Sequence, residues 1–217
     1  MLCNKGQLQN SVVNTHPGPW SNSENVSMKC SAYIATSADG FIARANGSVD
    51  WLETAGNPEA GVSEGYIDFT SYIATVDCMI MGRKCMEKIS SFDLPPEQWP
   101  YGTMKIIVLS NTVLTPPDNM KDKVEMYAGD LTALLGSLES EGYQSAYIDG
   151  GSTIQNFINL GRLNEIIITQ MPILIGNGAP LFGGTLRDVH LTNPQAVVCP
   201  SNYVQLRYRI ENGASDS

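Results

Sequence analysis

The chain has 217 residues, of which 42% are hydrophobic, and it carries a formal net charge of −9 at pH 7. This apolar content supports a packed core and excludes global disorder, and the length suits one α/β domain. No apolar stretch reaches the ~20 residues that a membrane-spanning helix requires, and no cluster of Lys and Arg interrupts the acidic background. We therefore expect neither a membrane protein nor a nucleic-acid-binding surface.

The cysteine and histidine content favours a reducing compartment and argues against a metal site. Five scattered cysteines make a poor disulfide framework, so we expect a cytoplasmic protein. The two histidines are His16 and His190, and the cysteine spacings match no zinc motif. No bound metal is expected.

Strand-like and helix-like segments alternate along most of the chain. Before them, residues 1–27 are rich in Asn, Ser, Gly and Pro, which predicts a mobile tail, and a single domain is expected over residues 28–212. Strands are predicted over residues 30–36, 78–81, 105–109, 124–127, 145–149 and 165–171, and helices over residues 64–74, 84–90, 131–141 and 153–160. This alternation predicts an α/β fold with a mainly parallel central sheet flanked by helices.

The C-terminal part has a different pattern. Residues 187–198 and 203–210 are both strand-like, and Pro200, Ser201 and Asn202 between them predict a turn. We therefore expect an antiparallel hairpin at one edge of the sheet. Because an uncovered apolar edge invites pairing with another chain, this hairpin and the apolar strand over residues 165–171 lead us to expect a homodimer.

The most informative dipeptide is Gly150-Gly151, which joins the predicted strand over residues 145–149 to a predicted helix. Glycine permits unusual backbone dihedrals and close approach of a ligand. The first turn of the following helix offers unpaired N–H groups and the positive end of a dipole, which suit a phosphate. The alternative is a tight turn that binds nothing.

A second junction of the same kind lies at Gly82, where an apolar strand meets Arg83 and Lys84 at the predicted start of a helix. Cations are unfavourable at a helix N-terminus unless an anion is bound there. The planar guanidinium of arginine suits a phosphate because it donates two hydrogen bonds at once. Two such junctions suggest a dinucleotide across the carboxyl ends of parallel strands. Two solvated surface cations are the alternative interpretation of Arg83 and Lys84.

Four blocks together resemble a known family. They are residues 37–43 (SADGFIA) with 47–52 (GSVDWL), residues 81–84 (MGRK), residues 148–152 (IDGGS) and residues 172–182 (PILIGNGAPLF). In order and spacing they resemble the dihydrofolate-reductase-like fold. They are closest to the reductase domain of the bacterial riboflavin-biosynthesis deaminase/reductase and its small stand-alone relatives. The zinc-deaminase signature is absent, so the resemblance, which covers residues 28–210, implies the reductase half alone.

The resemblance implies NADPH as cofactor. The residues implied to bind it are Ala35, Asp39, Gly40, Ile42, Gly82, Arg83, Lys84, Ser110, Asn111, Gly150, Gly151, Ser152 and Thr153. Within this set, the backbone of Ala35 meets the nicotinamide, and residues 39–42 lie in a loop that closes over it. Residues 82–84 and 150–153 hold phosphates, with Arg83 on a 2′-phosphate, and residues 110–111 touch the adenosine. In the family the Gly-Gly peptide is cis, which implies strain at this junction. The alternatives are an ordinary turn at residues 39–40 and an ordinary strand-end hydroxyl at Ser110.

The substrate side departs from dihydrofolate reductase, which has a buried carboxylate on the helix after its flexible loop. That position falls near Tyr66, which is not acidic, and Asp68 is a candidate two residues later. Asp50 is a second catalytic candidate. Trp51 could stack on a flat heterocycle or anchor its loop as a hydrophobic residue. Tyr66 and Trp51 are the residues expected to contact the substrate.

The resemblance implies a reductase that transfers a hydride from NADPH to a small heterocyclic, imine or carbonyl substrate. Its nearest chemistry is the 5-amino-6-(5-phosphoribosylamino)uracil reductase step of riboflavin biosynthesis. Two alternatives stay open at this point. One is a dihydrofolate reductase, which the missing acid disfavours, and the other is an NADPH-binding sensor or scaffold without turnover.

Overall fold

The computed structural model of the protein describes residues 27–211. Its strands are β1 (Lys29–Ser37), β2 (Phe41–Arg44), β3 (Cys78–Gly82), β4 (Lys105–Leu109), β5 (Glu125–Tyr127), β6 (Ser145–Asp149), β7 (Glu165–Met171), β8 (Gly178–Pro180), β9 (Leu191–Val198) and β10 (Val204–Ile210). Its α-helices are α1 (Trp51–Thr54), α2 (Phe69–Ile73), α3 (Arg83–Ser90), α4 (Leu131–Ser140) and α5 (Gly151–Asn159). Most of the predicted tail over residues 1–27 lies outside the described residues.

Eight strands form the central sheet in the order β5-β4-β3-β6-β1-β7-β10-β9. The pairs from β5 to β7 are parallel, and β10 is antiparallel to both of its neighbours. The predicted parallel sheet with a C-terminal antiparallel hairpin is therefore confirmed. Parallel strands end at the same edge of a sheet, so the residues after β1, β3, β4 and β6 gather along one rim.

Helices cover both faces of the sheet, as the parallel arrangement requires. On one face, α4 and α5 pack on a core of aliphatic strand residues that includes Ile34, Ile80 and Ile148. On the other face, α2 and α3 pack on an aromatic and methionine-rich core that includes Tyr33 and Tyr147. Successive side chains along a strand point to opposite faces of the sheet, so two neighbouring residues at a strand end lie on different faces.

The predicted helix over residues 64–74 is wrong in its first half, because α2 begins only at Phe69. Gly65 has a φ of +86°, which breaks a helical path. The backbone N–H of Ile67 then donates to Gln205 Oε1 at 2.8 Å, and the Ile67 carbonyl accepts from Gln205 Nε2 at 2.9 Å. A side chain from β10 thus satisfies backbone groups that a helix would otherwise have used.

The predicted strand over residues 187–198 begins later, at Leu191. The segment before it is held to the end of α5 by Asn159, whose side chain accepts from Leu186 N at 3.0 Å and donates to Gly184 O at 2.9 Å. These bonds keep the chain beside α5 and delay its entry into the sheet.

The sheet edge on which the expected homodimer was based also differs from the prediction. Strand β7 is paired on both sides, by β1 and β10, and the edge strand at this end of the sheet is β9, which pairs with β10. Val198 on β9 is 70% exposed, whereas Pro194 in the same strand lacks a backbone N–H and weakens strand addition. A homodimer stays a prediction, and its interface would have to be β9 or another surface.

Within residues 27–211, no helix is both long enough and apolar enough to cross a bilayer.

Candidate functional site

A gap opens between β1 and β6 at the carboxyl end of the sheet. Their ladder stops at the pair Ser31 and Tyr147, although β1 continues beside β7 as far as Ser37 and Met171. Strand β6 meanwhile stays paired with β3 up to Asp149. The Tyr147 hydroxyl bridges the two diverging strands by donating to the Tyr33 carbonyl at 3.0 Å. The last residues of β1, including Ala35, therefore border a cleft on the β6 side.

The two glycine junctions lie next to each other beside this cleft, because β3 and β6 are neighbours. A Cβ at Gly150 would lie 4.0 Å from Gly82 N, and a Cβ at Gly82 would lie 2.9 Å from Thr153 Oγ1. A Cβ at Gly150 would also lie 2.6 Å from Cys85 Sγ. Contacts inside the protein thus already favour glycine at positions 82 and 150. The presence of these two glycines alone therefore does not demonstrate a ligand.

The Gly150–Gly151 peptide is trans, as are the other peptide bonds of residues 27–211, so the implied cis bond is not present. Gly150 instead makes the turn through its own dihedrals, with φ +95° and ψ 134°. An L-residue rarely adopts this φ, whereas glycine has no Cβ to obstruct it. The chain passes from β6 into α5 through this residue without an unusual peptide bond.

What favours an anion here is that α3 and α5 start side by side with uncapped N-termini. Gly82 and Gly150 are the N-cap residues, and neither position has a side-chain cap. The first N–H groups of each helix have no partner four residues back, and the helix dipole makes their surroundings positive. Ser152, in the first turn of α5, is exposed and could add a hydroxyl donor. Two such N-termini suit a pyrophosphate.

The two cations of the second junction are placed differently. Arg83 is the first residue of α3, and its guanidinium nitrogen lies 2.5 Å from Glu87 Oε1, one turn further along the helix. The Lys84 side chain is exposed and makes no ion pair among the described residues. Both cations are thus close to the paired N-termini, but an acidic neighbour already binds Arg83.

Ser110 and Asn111 follow β4, directly beside the start of α3, because Leu109 pairs with Gly82. The Ser110 hydroxyl oxygen accepts from Val113 N at 2.9 Å and from Thr112 N at 3.3 Å. It therefore shapes the turn after β4, as an ordinary hydroxyl at a strand end does. Asn111 is exposed on the same rim.

The loop expected to close over the cofactor is half of a two-stranded flap, which we define as residues 38–44 and 173–181. Its strands β2 and β8 pair antiparallel, and Leu181 N donates to Gly40 O at 3.0 Å. The flap covers the start of α5, because a Cβ at Gly151 would lie 2.9 Å from Ile42 Cδ1 and 3.2 Å from Pro180 O. Ile42 thus lies against the predicted pyrophosphate site.

Asp39 holds the two halves of the flap together. Its carboxylate accepts from Gly176 N at 2.7 Å and from Ile175 N at 3.3 Å. Hydrogen bonds from the Ser37 hydroxyl and then from these two amides lower the pKa of Asp39. The contacts give Asp39 a structural role in the flap, whatever it contributes to a cofactor.

We expect Asp39→Asn to loosen the flap, because an amide has one acceptor oxygen and no charge. The amides of Ile175 and Gly176 should then exchange with deuterium faster, as mass spectrometry or NMR can measure. In the parent protein, the pKa of Asp39 is lower in the folded state than in the unfolded state, where it is ~3.9. The ionised carboxylate therefore stabilises the fold above its unfolded pKa, and this stabilisation is lost as the pH falls through the folded pKa. Asp68→Asn is the control, and equal exchange at residues 175–176 in parent and Asp39→Asn would contradict this role.

The acidic candidates for catalysis are both engaged elsewhere. Asp50 is exposed, and Arg44 donates to its two oxygens at 2.8 and 3.0 Å. Hydrogen bonds from Arg44, and then from Ser48, hold the pKa of Asp50 well below its usual range, which does not suit a proton donor. Asp68 caps α2 by accepting from Ser71 N and Ser71 Oγ, each at 2.8 Å. Neither geometry places a free acid at the cleft.

The two candidates for substrate contact have different surroundings. Trp51 is 0% exposed and packs with Ala35, Ala55 and Met171, so its ring faces are not available for stacking. The alternative interpretation, a hydrophobic anchor, describes it in this structure. Tyr66 is half-buried beside Tyr33 and Thr169, and burial raises its pKa. Since Thr169 pairs with Ala35, Tyr66 lies near the β1 side of the cleft.

Asp149, the last residue of β6, is a further candidate that lies outside the residues predicted for the site. It is 6% exposed, and no Lys, Arg or His forms an ion pair with it in the described part of the chain. The other buried carboxylate there, Glu165, has two cationic partners, Lys29 and Arg207. Burial is the main cause that raises the pKa values of Tyr101, Tyr147 and Cys85, and the electrostatic effect of nearby Asp149 is the second. A carboxylate directly before Gly150 was a signal that could have identified it.

Asp149 borders the cleft from β6 and, by the register of the two strands, lies level with Tyr33, two residues before Ala35 on β1. Burying a carboxylate without a cation is unfavourable. A buried carboxyl group without a cationic partner calls for an explanation, and a functional role is one such explanation. The cleft therefore combines two uncapped helix N-termini, which suit an anion, with a buried carboxyl group one residue before Gly150.

These features define a class of α/β protein: a parallel sheet whose strands separate at the carboxyl rim to form a cleft between helix N-termini. The chain belongs to the family of RibD C-terminal domains, whose family model matches residues 29–204. It is similar to the uncharacterized protein YwjB of Bacillus subtilis (strain 168), with 34% identity over 69% of this chain and 80% of the relative.

Solved structures agree with this assignment. A putative riboflavin biosynthesis protein from Shewanella sp. PV-4 has 37% identity, covers 85% of this chain and 99% of its own, and has a TM-score of 0.74. The Saccharomyces riboflavin biosynthesis reductase Rib7 has 13% identity, with coverage of 88% and 93% and a TM-score of 0.58, which is a likeness of fold alone. The dihydrofolate-reductase-like fold expected from the sequence is thereby confirmed.

Proposed function

We propose that this protein is a reductase that uses NADPH to reduce a small heterocyclic, imine or carbonyl compound. The single observation that carries the proposal is the cleft between β1 and β6, bordered by the uncapped starts of α3 and α5. Membership of the RibD C-terminal family supports an oxidoreductase. The nearest chemistry is the 5-amino-6-(5-phosphoribosylamino)uracil reductase step of riboflavin biosynthesis.

The residues around the cleft suit a dinucleotide. The N–H groups at the starts of α3 and α5 would hold its phosphates, and Arg83 and Lys84 would add positive charge. The end of β1 at Ala35 would meet the nicotinamide, and the flap would exclude water from it. When bound, NADPH supplies the hydride, and the protein contributes binding, orientation and electrostatics.

Asp149 is the acidic group best placed to face a substrate in this cleft. The role of the protein's own residues is then to orient the substrate and to provide or hold a proton during reduction. Asp149 could accept a hydrogen bond from a ring N–H or exchange a proton with the substrate. Tyr66, on the β1 side near Thr169, would line the opposite wall.

The protein should bind NADPH more tightly than NADH, and Arg83→Ala should remove most of that preference. A hydrogen bond to a charged group contributes about 1.5–3 kcal/mol, so NADPH affinity should fall by roughly 10- to 150-fold. The affinity for NADH, which lacks the 2′-phosphate, should change little. Titration calorimetry with both dinucleotides measures this difference.

Lys88→Ala is the matched control, because Lys88 is a cation in the last turn of the same helix. It should leave the NADPH to NADH ratio unchanged. An equal loss of both dinucleotides in Arg83→Ala would remove Arg83 from the 2′-phosphate, although the cleft itself could still bind the rest of the cofactor.

The function itself is tested by following NADPH consumption during a screen of small heterocycles, imines and carbonyl compounds. Turnover of a ribosylamino-pyrimidine would support the riboflavin-type reaction. Dihydrofolate belongs in the screen, but Asp68 caps α2 and the pterin-binding acid has no counterpart at Tyr66, so we expect no turnover of it. Tight NADPH binding without turnover would favour a sensor or scaffold, and no binding would refute the proposal.

A further inference from the structure

The Arg83 guanidinium already has an acidic partner, because one of its nitrogens lies 2.5 Å from Glu87 Oε1. The two residues lie four apart on α3, and their side chains are 35% and 43% exposed. Solvent-exposed pairs of this kind contribute little to stability. This pair also has the cation nearer the helix N-terminus, which is the less favourable order for the helix dipole. Stability of α3 is therefore a weak reason for Glu87 to be there.

The position of Glu87 has a consequence for anion binding. A phosphate that binds Arg83 must compete with the carboxylate for the same donors, and the two anions then lie close together. A 2′-phosphate carries nearly two negative charges at neutral pH. The ribose hydroxyl of NADH carries none and experiences no such repulsion.

We propose that Glu87 is a positioning residue that limits the preference for NADPH over NADH by occupying Arg83 and repelling the 2′-phosphate. The inference rests on the proposed function. Coulomb repulsion between a carboxylate and a phosphate dianion about 5 Å apart in water corresponds to about a tenfold change in affinity. Removing the charge of Glu87 should therefore strengthen NADPH binding about tenfold and leave NADH binding unchanged.

The experiment is titration calorimetry of NADPH and NADH with the parent, Glu87→Gln, Arg83→Ala and the double variant. Glu87→Gln keeps the size of the side chain and removes its charge. Asp118→Asn is the matched control, because Asp118 forms an exposed pair with Lys121 at 2.6 Å, and the neighbouring Asn119 bonds to Ser90 at the far end of α3. The control removes one negative charge without touching Arg83 and should move neither affinity.

The expected result is tighter NADPH binding in Glu87→Gln alone, with a smaller gain when Arg83 is already alanine. The gain should also shrink as salt rises, since charges at exposed sites are screened. Unchanged or weaker NADPH binding in Glu87→Gln overturns the inference, as does an equal change for both dinucleotides, and the proposed function survives either result. If the parent binds neither dinucleotide, the proposed function and the inference both fail.

Discussion

Gly150→Ala should destabilise the protein strongly and abolish dinucleotide binding. Its backbone has a φ of +95° and a ψ of 134°, and the new Cβ would lie 2.6 Å from Cys85 Sγ. Strain in a rarely populated backbone region costs about 1–3 kcal/mol, and overpacking adds about 1–3 kcal/mol. The melting temperature should therefore fall by roughly 5–20 °C. Thermal melts and calorimetry with NADPH measure the two effects.

A double variant separates the two causes. Cys85→Ala removes the sulfur that the new Cβ would meet but leaves the backbone dihedrals of residue 150 unchanged. We expect Gly150→Ala to cost less stability in the Cys85→Ala background, by about 1–3 kcal/mol. Equal costs in both backgrounds would show that the Cys85 contact is not tight.

Gly151→Ala is the matched variant at the next position. Gly151 does not have a positive φ, and its Cβ would meet the end of the Ile42 side chain and the Pro180 carbonyl. We expect this variant to fold with a displaced flap and to lose most of its affinity for NADPH. A cooperative melt with parental NADPH affinity would place the cofactor elsewhere.

Asp149→Asn should reduce turnover by roughly 10²–10⁴-fold, the range typical of a lost acid or base. The substitution keeps the size of the side chain and removes a buried charge that has no cationic partner among the described residues. Its melting temperature should therefore stay the same or rise, since an unpaired buried charge is unfavourable. Loss of activity with retained stability is the pattern expected of a functional group.

Glu165→Gln is the control for Asp149→Asn, because Glu165 is also buried but is paired with Lys29 and Arg207 at the opposite end of the sheet. It should lower stability and leave the turnover of folded protein nearly unchanged. Stopped-flow or steady-state kinetics with a substrate found by the screen provide kcat, and calorimetry shows whether NADPH still binds. Parental kcat in Asp149→Asn would exclude a catalytic role.

The sequence was a good guide where local patterns govern structure. The strands over residues 105–109, 145–149 and 165–171 have the predicted bounds, because each is an apolar run between residues that end it. The glycines at positions 82 and 150 were correctly interpreted as junctions between a strand and a helix. The amphipathic spacing also predicted α4 to within one residue.

Local sequence patterns predicted the surroundings of the candidate site less well than they predicted the strands and helices. The sequence around Trp51 fits both a stacking platform and a hydrophobic anchor, and its complete burial depends on Ala35 and Met171, which are distant in sequence. The first half of the predicted helix over residues 64–74 failed because Gln205 binds the backbone of Ile67. No local pattern distinguishes Glu87, because an exposed acid in a helix is common.

By itself, the sequence determined the α/β class, the order of most elements and the two glycine junctions, because apolar periodicity and glycine dihedrals are local properties. Three features of the site are visible only in the folded protein: β1 separates from β6 after Ser31, residues 38–44 pair with 173–181, and Asp149 is buried without a cation among the described residues. These features depend on which distant segments meet. Strand pairing and burial are set by packing over the whole chain, so a local pattern does not contain them.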